Sequence, residues 1–305
     1  GGGVVLAAAG IGVNAATSTP ADALAPWGMA GGAHYADPRM RALSYAILAP
    51  NPHNRQPWIV DLEGDDTVAL YFDTDRQLPH TDPFDRQLTI GLGCFLELMT
   101  MAAANDGQAV DLTLFPEGYS PEALDTRPVA RAVFAADNTV SPDPLWSHVM
   151  NRRSNKEPYD TARSVPADAL GRILQVARQS DLGGSVDTDD IAYWRALTTK
   201  ALQLEIDTPR TYQESVDLFR IGKAEINANP DGILAGGCAR LSGAQPLASG
   251  QVLRSAAGAA AVQTADDGLG LRQVFPDRAL FSRRGPARRP LAHGFLSARH
   301  GDVVC

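Results

Sequence analysis

The sequence predicts an α+β fold with a mainly antiparallel sheet between helices, and three stretches predict it. Asp37 to Leu48 is a helix candidate, with Asp37 as N-cap, Pro38 at the first helical position and Met40, Leu43 and Ile47 on one face. Trp58 to Leu62 and Val68 to Asp73 alternate as strands, joined through Gly64-Asp65-Asp66 as a hairpin. Asp82-Pro83 then caps the longest helix, Phe84 to Ala104. Its apolar face runs through Phe84, Leu88, Leu92, Phe95, Met99 and Ala102, and Gly107 stops it.

Between the first helix and the hairpin lies Ala49 to Trp58, APNPHNRQPW. Pro50 and Pro57 bracket Asn51, His53, Asn54, Arg55 and Gln56, and each proline blocks helix at the residue before it, which predicts an extended loop. Asn and Gln offer both donor and acceptor, so such a loop suits the edge of a flat heterocycle such as a flavin. An Asx-rich turn with Trp58 filling the core accounts for the same residues.

The run resembles the A-P-S-x-x-N-x-Q-P-W segment of the flavin-dependent nitroreductase family, matching at Ala49, Pro50, Asn54, Gln56, Pro57 and Trp58, with Asn51 where the family usually has Ser. Ala42 to Gly107 is similar to the exported, two-lobed, Acg-like branch, whose DxxRxLPxxDPxxRQLxIxLG pattern appears as Asp73 to Gly93. The resemblance implies a nitroreductase-like fold of two pseudo-symmetric lobes, a single chain mimicking the family's dimer. It implies cofactor contacts from Asn51, Asn54 and Gln56, and makes Arg86 a ligand candidate beside Arg76 and Asp85.

Along the rest of the chain, Gly91 and Gly93 inside the long helix predict a close neighbour, a helix or a flavin. Val110 to Phe115 and Val129 to Ala135 read as strands around a Pro116 to Pro128 loop. Asn151 to Asp160, NRRSNKEPYD, gathers cations and a hydroxyl able to satisfy a phosphate, or forms a solvated basic turn. It resembles the R-x-S-x-R/K phosphate motif of nitroreductases, which assigns Arg152, Arg153, Ser154 and Lys156 to the flavin phosphate. In the family that motif precedes the amide loop, so the reversed order here suggests an imperfect internal repeat, helix-loop-strand at Pro38 to Leu62 and again at Pro166 to Val186. Pro166 to Gln179, Asp189 to Thr208 and Tyr212 to Ala228 read as helices, the last carrying Phe219, Ile221 and Ile226, and Asn229-Pro230-Asp231-Gly232 is a turn.

From Gly237 the composition changes, with nine Arg, four Asp and neither Lys nor Glu to Cys305. A basic tail with Arg283, Arg284, Arg288 and Arg289 as anchors for nucleic acid or an acidic membrane is one reading. Out-of-frame translation of GC-rich coding sequence is the other, and on that reading the second lobe is incomplete. At the other end, the uncharged run Gly1 to Val13 has the length of a signal-peptide core, with Ala21-Asp22-Ala23 as a cleavage option, and resembles a twin-arginine export signal. Gly10 to Ala15 also matches G-x-G-x-x-A, but Thr17 to Pro20 end the helix a dinucleotide site requires.

The expected organisation is therefore a signal remnant (1–25), a first lobe (26–145), the start of a second (146–236) and the anomalous tail (237–305). With 305 residues, 44% of them hydrophobic, the chain can bury a substantial core, and a net charge of −8 argues against nucleic-acid binding. The run Gly1 to Val13 is too short to span a bilayer, and no stable membrane span is expected. Three Cys without CxxC give neither a disulfide framework nor a zinc site. The resemblance implies an exported FMN-dependent oxidoreductase, with NAD(P)H as donor and a small nitro- or quinone-like molecule as acceptor. A protein that sequesters FMN without turnover is the alternative. No side chain is assigned as catalytic acid or base, since the chemistry would be the flavin's.

Overall fold

The computed structural model describes residues 20–154, 160, 163–176 and 183–235, so Lys156, the N-terminal run and the Arg-rich tail lie outside the described residues. By packing the chain divides into two units, one holding the described residues up to Ser154 together with those from Pro209, the other the described residues from 160 to Thr208.

In the first unit, α1 (Ala21–Met29) includes the Ala21-Asp22-Ala23 run, and α2 (Pro38–Ala46) starts as its sequence predicts, the Asp37 carboxylate accepting from the Arg39 N–H at 2.8 Å. The hairpin forms as β1 (Trp58–Glu63) and β2 (Thr67–Phe72), in register from Trp58 opposite Phe72 to Glu63 opposite Thr67. After α3 (Arg86–Asn105) come β3 (Gln108–Leu114) and β4 (Pro128–Ala136), and the four strands make one antiparallel sheet in the order β1-β2-β4-β3. The fold is α+β, as predicted.

The core follows from two periodicities. Alternate strand residues Trp58, Val60, Val68, Leu70 and Phe72 are buried, and they belong to one cluster with Leu88, Leu92, Phe95, Met99 and Ala102, spaced by three or four along α3. Trp58 and Phe95 meet with ring centroids 5.1 Å apart. Helix α3 is apolar and long enough to cross a membrane by composition, yet it is the helix at the centre of this core. Phe84 is not on its buried face as expected, being 62% exposed. The helix starts later, at Arg86, because Asp85 takes a left-handed conformation (φ 51°) and Asp82 caps from further back, accepting from the N–H groups of Arg86 (2.9 Å) and Leu88 (3.0 Å). Burial pushes the Asp82 carboxyl up, and those backbone bonds pull it back.

Arg39 is buried, which is costly for a charge unless it is paired. It pairs with Asp37 at 2.7 Å and donates to the carbonyls of Gly64 (2.9 Å) and Thr67 (3.1 Å), fixing the turn of the β1–β2 hairpin to the start of α2.

Residues 209–235 break up the single helix expected over Tyr212 to Ala228. They form α6 (Pro209–Asp217), β5 (Phe219–Ile221), α7 (Lys223–Ala228) and β6 (Ile233–Ala235). The helix is interrupted because Phe219 to Ile221 pairs in parallel with Ile233 to Ala235, and Gly222 at φ 81° turns the chain out of the strand. Ile226, Leu234 and Ala23 make a small second core, and the Ala23 N–H donates to Asn227 Oδ1 at 3.3 Å.

In the second unit α4 (Ala167–Val176) and α5 (Thr188–Asp207) lie close to their expected positions, and Asp187 caps α5 by accepting from Asp189 N–H at 2.8 Å. Residues 183–187 carry no strand, so the repeated helix-loop-strand lacks its strand at Val186.

The close neighbour predicted at Gly91 is the amide loop, since a Cβ there would lie 2.9 Å from Asn51 Cβ and 3.3 Å from its Cα. At the exposed Gly93 a Cβ would meet nothing within 4 Å. Gly91→Ala is expected to destabilise by about 1–3 kcal/mol through overpacking, and Gly93→Ala to stabilise by up to about 1 kcal/mol through helix propensity. Urea unfolding of the two variants checks the opposite signs.

Candidate functional site

The loop Ala49–Trp58 leaves the end of α2 and enters β1 with a 3-10 turn at Pro52–Asn54. His53, Asn54 and Gln56 all take positive φ, at 50°, 49° and 49°. For residues other than glycine this conformation costs on the order of 1–2 kcal/mol each, somewhat less for Asn, so something must hold it.

Part of the hold is internal. Asn51 Oδ1 accepts from the Gln56 N–H at 2.7 Å, and Asn51 Nδ2 donates to the Ala49 carbonyl at 3.1 Å, local side-chain-to-backbone bonds that bridge the loop. The rest comes from the Asn229-Pro230-Asp231-Gly232 turn. The side-chain amides of Asn54 and Gln56 both donate to the Pro230 carbonyl, each at 2.9 Å, and the Gly232 N–H donates to the Asn54 carbonyl at 3.0 Å. Gln56 Nε2 also donates to Asn54 Oδ1 at 3.2 Å, so both its amide hydrogens are spent inside the protein, and the residue is buried.

Between these two amides, Arg55 pairs with Asp231 at 3.0 Å, and Arg76 and Arg220 stand 3.6 and 3.8 Å from the same carboxylate. Arg55 and Arg76 are tied further, the first donating to the Arg76 carbonyl at 3.1 Å and the second to the Arg55 carbonyl at 2.6 Å. Burial pulls the Arg55 guanidinium below its ordinary value, and Asp231 opposes it. A second clamp sits nearby, where Glu214 of α6 accepts from the Thr81 N–H (2.7 Å), the Thr81 hydroxyl (2.6 Å) and the His80 N–H (3.1 Å).

The basic run starts at the other end of the loop. Arg152 Nη2 donates to the Leu48 carbonyl at 2.7 Å, which brings the two sequence-predicted stretches together. Arg153 is exposed, donates to the carbonyls of Met150 (3.0 Å) and Arg152 (2.6 Å), and lies with Cζ 3.9 Å from the centre of the Trp27 ring. Ser154 is exposed beside it, and Lys156 lies outside the described residues. Arg86 is exposed at the first position of α3, about 7.5 Å along the axis before Gly91. Cys94, on the same helix, has its thiol pushed up by burial against the pull of Arg152.

Sequence reasoning left Pro230 and Asp231 as turn residues and gave Trp27 and Arg220 no part. The N-P-D-G signal predicted the turn's shape but not what it would grip.

No protein-family profile matches the chain. It is 35% identical over 167 residues to Acg, a Mycobacterium tuberculosis protein named as an NAD(P)H nitroreductase, a match that covers 50% of each chain. The matched half is similar to the sequence of that nitroreductase. A second M. tuberculosis relative, an uncharacterised protein, is 28% identical over 126 residues, covering 39% of this chain and 35% of that one. The chain thus spans about half the length of the nitroreductase relative, or less of the other. A crystal structure of a nitroreductase-family protein from Streptococcus pneumoniae TIGR4 aligns at a TM-score of 0.25 and 18% identity, covering 44% of this chain and 86% of that one, a likeness too slight to argue from.

Among the described residues, His53 is a histidine displaced from its ordinary titration. Its Nε2 lies 3.3 Å from Ser215 Oγ, its Nδ1 is sealed without a partner among the described residues, and its pKa is lowered from 6.5 to about 4, chiefly by burial, with Glu214 opposing and Arg55 adding. The unfolded chain takes up this proton near 6.5 and the folded protein only near 4, so the neutral ring's contribution to stability is full above about 6.5 and is lost as the pH falls through about 4. The stability difference between wild type and His53→Gln is therefore expected to shrink from pH 7 to pH 4. Urea unfolding at each pH measures it, and parallel pH profiles would contradict the assignment.

Proposed function

We propose that this chain is part of an NAD(P)H-dependent oxidoreductase of the nitroreductase type that holds FMN and reduces a nitro- or quinone-like acceptor. The observation that carries this reading is the bond from Arg152 to the Leu48 carbonyl at 2.7 Å. It supports one site built from the basic run and the amide loop, two stretches with separate resemblances to the same family.

The residues present fit the cofactor at its phosphate end. Arg153 and Ser154 are exposed side by side, a guanidinium fork and a hydroxyl able to satisfy phosphate oxygens, and stacking on Trp27 fixes the fork's plane. Lys156 adds a point charge to the same run, and Arg86 a further cation at the start of α3. At the ring end Asn54 commits one amide hydrogen to Pro230 and can offer the other, whereas Asn51 and Gln56 hold the loop's shape. When bound, the flavin supplies the redox chemistry, carrying hydride from NAD(P)H to the acceptor, while the protein binds and orients it.

The test is to titrate the purified chain with FMN, following quenching of flavin fluorescence, then to add NADPH and a nitroarene. Saturable quenching, bleaching by NADPH and recovery of colour with the nitroarene are expected. Arg153→Ala combined with Ser154→Ala should weaken FMN binding by about 10- to 100-fold, the loss of hydrogen bonds to a charged group. Absence of FMN binding would overturn the proposal, and a yellow protein inert to NADPH would favour sequestration instead.

A further inference from the structure

We propose that Asp231 is a positioning residue for the flavin site, acting through the conformation of the loop from Asn51 to Gln56; its consequence for affinity rests on the FMN reading above. Three residues of that loop are left-handed; Asn51 braces two of them, its side chain holding the Gln56 N–H and its carbonyl the Asn54 N–H at 3.2 Å. His53 meets Ser215 at 3.3 Å, and the turn adds the Pro230 carbonyl between two amides and the Gly232 N–H on the Asn54 carbonyl.

Neither contact carries charge, and each depends on the turn staying where Asp231 anchors it. Asp231 faces three guanidiniums, those of Arg55, Arg76 and Arg220, all 11–20% exposed like the carboxylate itself. Arg76 has a second acid in Asp73 at 3.3 Å, whereas among the described residues Arg55 and Arg220 form ion pairs with Asp231 alone. Neutralising Asp231 therefore leaves Arg55 and Arg220 close together without a carboxylate, and their mutual repulsion moves the turn off the loop. None of these side chains belongs to the main apolar cluster, so the sheet and α3 keep their packing while the loop relaxes.

The turn also occupies amide hydrogens that a ring could use, which makes the sign of the effect informative. If the turn were a plug, freeing it would tighten flavin binding; as a positioning device, its loss weakens binding. The buried state of Gln56 favours positioning, because that amide faces the protein rather than a ligand path.

The experiment compares wild type, Asp231→Asn and Asp231→Glu in the full chain by amide hydrogen exchange, FMN fluorescence titration and the visible circular dichroism of bound FMN. Asp231→Asn is expected to raise exchange in residues 51–56 while leaving Leu92 to Ala103 unchanged, to weaken FMN about tenfold and to alter the flavin dichroism. Asp231→Glu should restore most of each. Unchanged exchange in 51–56, or tighter FMN binding, would overturn the proposal. Should wild type bind no FMN, the flavin reading falls and the exchange result alone decides whether Asp231 sets the loop. Should Asp231→Asn fail to fold, Arg55→Gln, which removes the partner at 3.0 Å that joins loop to turn, is expected to give a rise in the same segment, and no rise would count against the proposal.

Discussion

A loop with three prolines and three left-handed residues satisfies little of its backbone in its own short 3-10 turn, so much of its hydrogen bonding must come from elsewhere in the chain. Here they come from several directions. The Leu48 carbonyl receives Arg152, the Asn54 carbonyl receives Gly232, and the Pro57 carbonyl receives the Asp73 N–H at 2.8 Å. Two amide side chains return the favour to Pro230. The loop is thereby the point at which the end of α2, the end of β2, the basic run and the 229–232 turn are fastened together.

That fastening explains features that look unrelated along the chain. Gly91 interrupts the best helix former of the protein because the Asn51 backbone presses against it, and a side chain would move the loop. The start of α3 is held twice, by Asp82 capping its first N–H groups and by Glu214 gripping Thr81 just before the cap. Residues 209–235 adopt short helices and strands rather than one long helix because their contacts are made with the loop and with α1. Local helix propensity yields there to tertiary pairing.

For function, the arrangement separates two tasks that resemblance alone had merged. The amides nearest the family pattern serve largely to hold the loop, while the groups left open to solvent are the cation and hydroxyl of Arg153 and Ser154. A charged anchor distant in sequence then governs how the polar loop is presented, which is a means of building a site from a segment with no regular structure of its own.

Much of the fold was legible because its signals are local. Asp37 followed by Pro38, the alternation from Trp58 and the three-and-four spacing from Leu88 each act within a few residues, and each produced the element it predicts. Phe84 misled because Asp85 adopts a backbone conformation that residue type alone does not announce. At the site, the sequence by itself determined which stretches are polar, rigid and basic, since prolines and side-chain chemistry do that without help. Only the tertiary structure decided which groups those stretches would spend on each other: the pairing of Arg55 with Asp231 and of Gln56 with Pro230 spans more than a hundred residues, and contacts at that separation are set by how the chain closes, which no local pattern encodes.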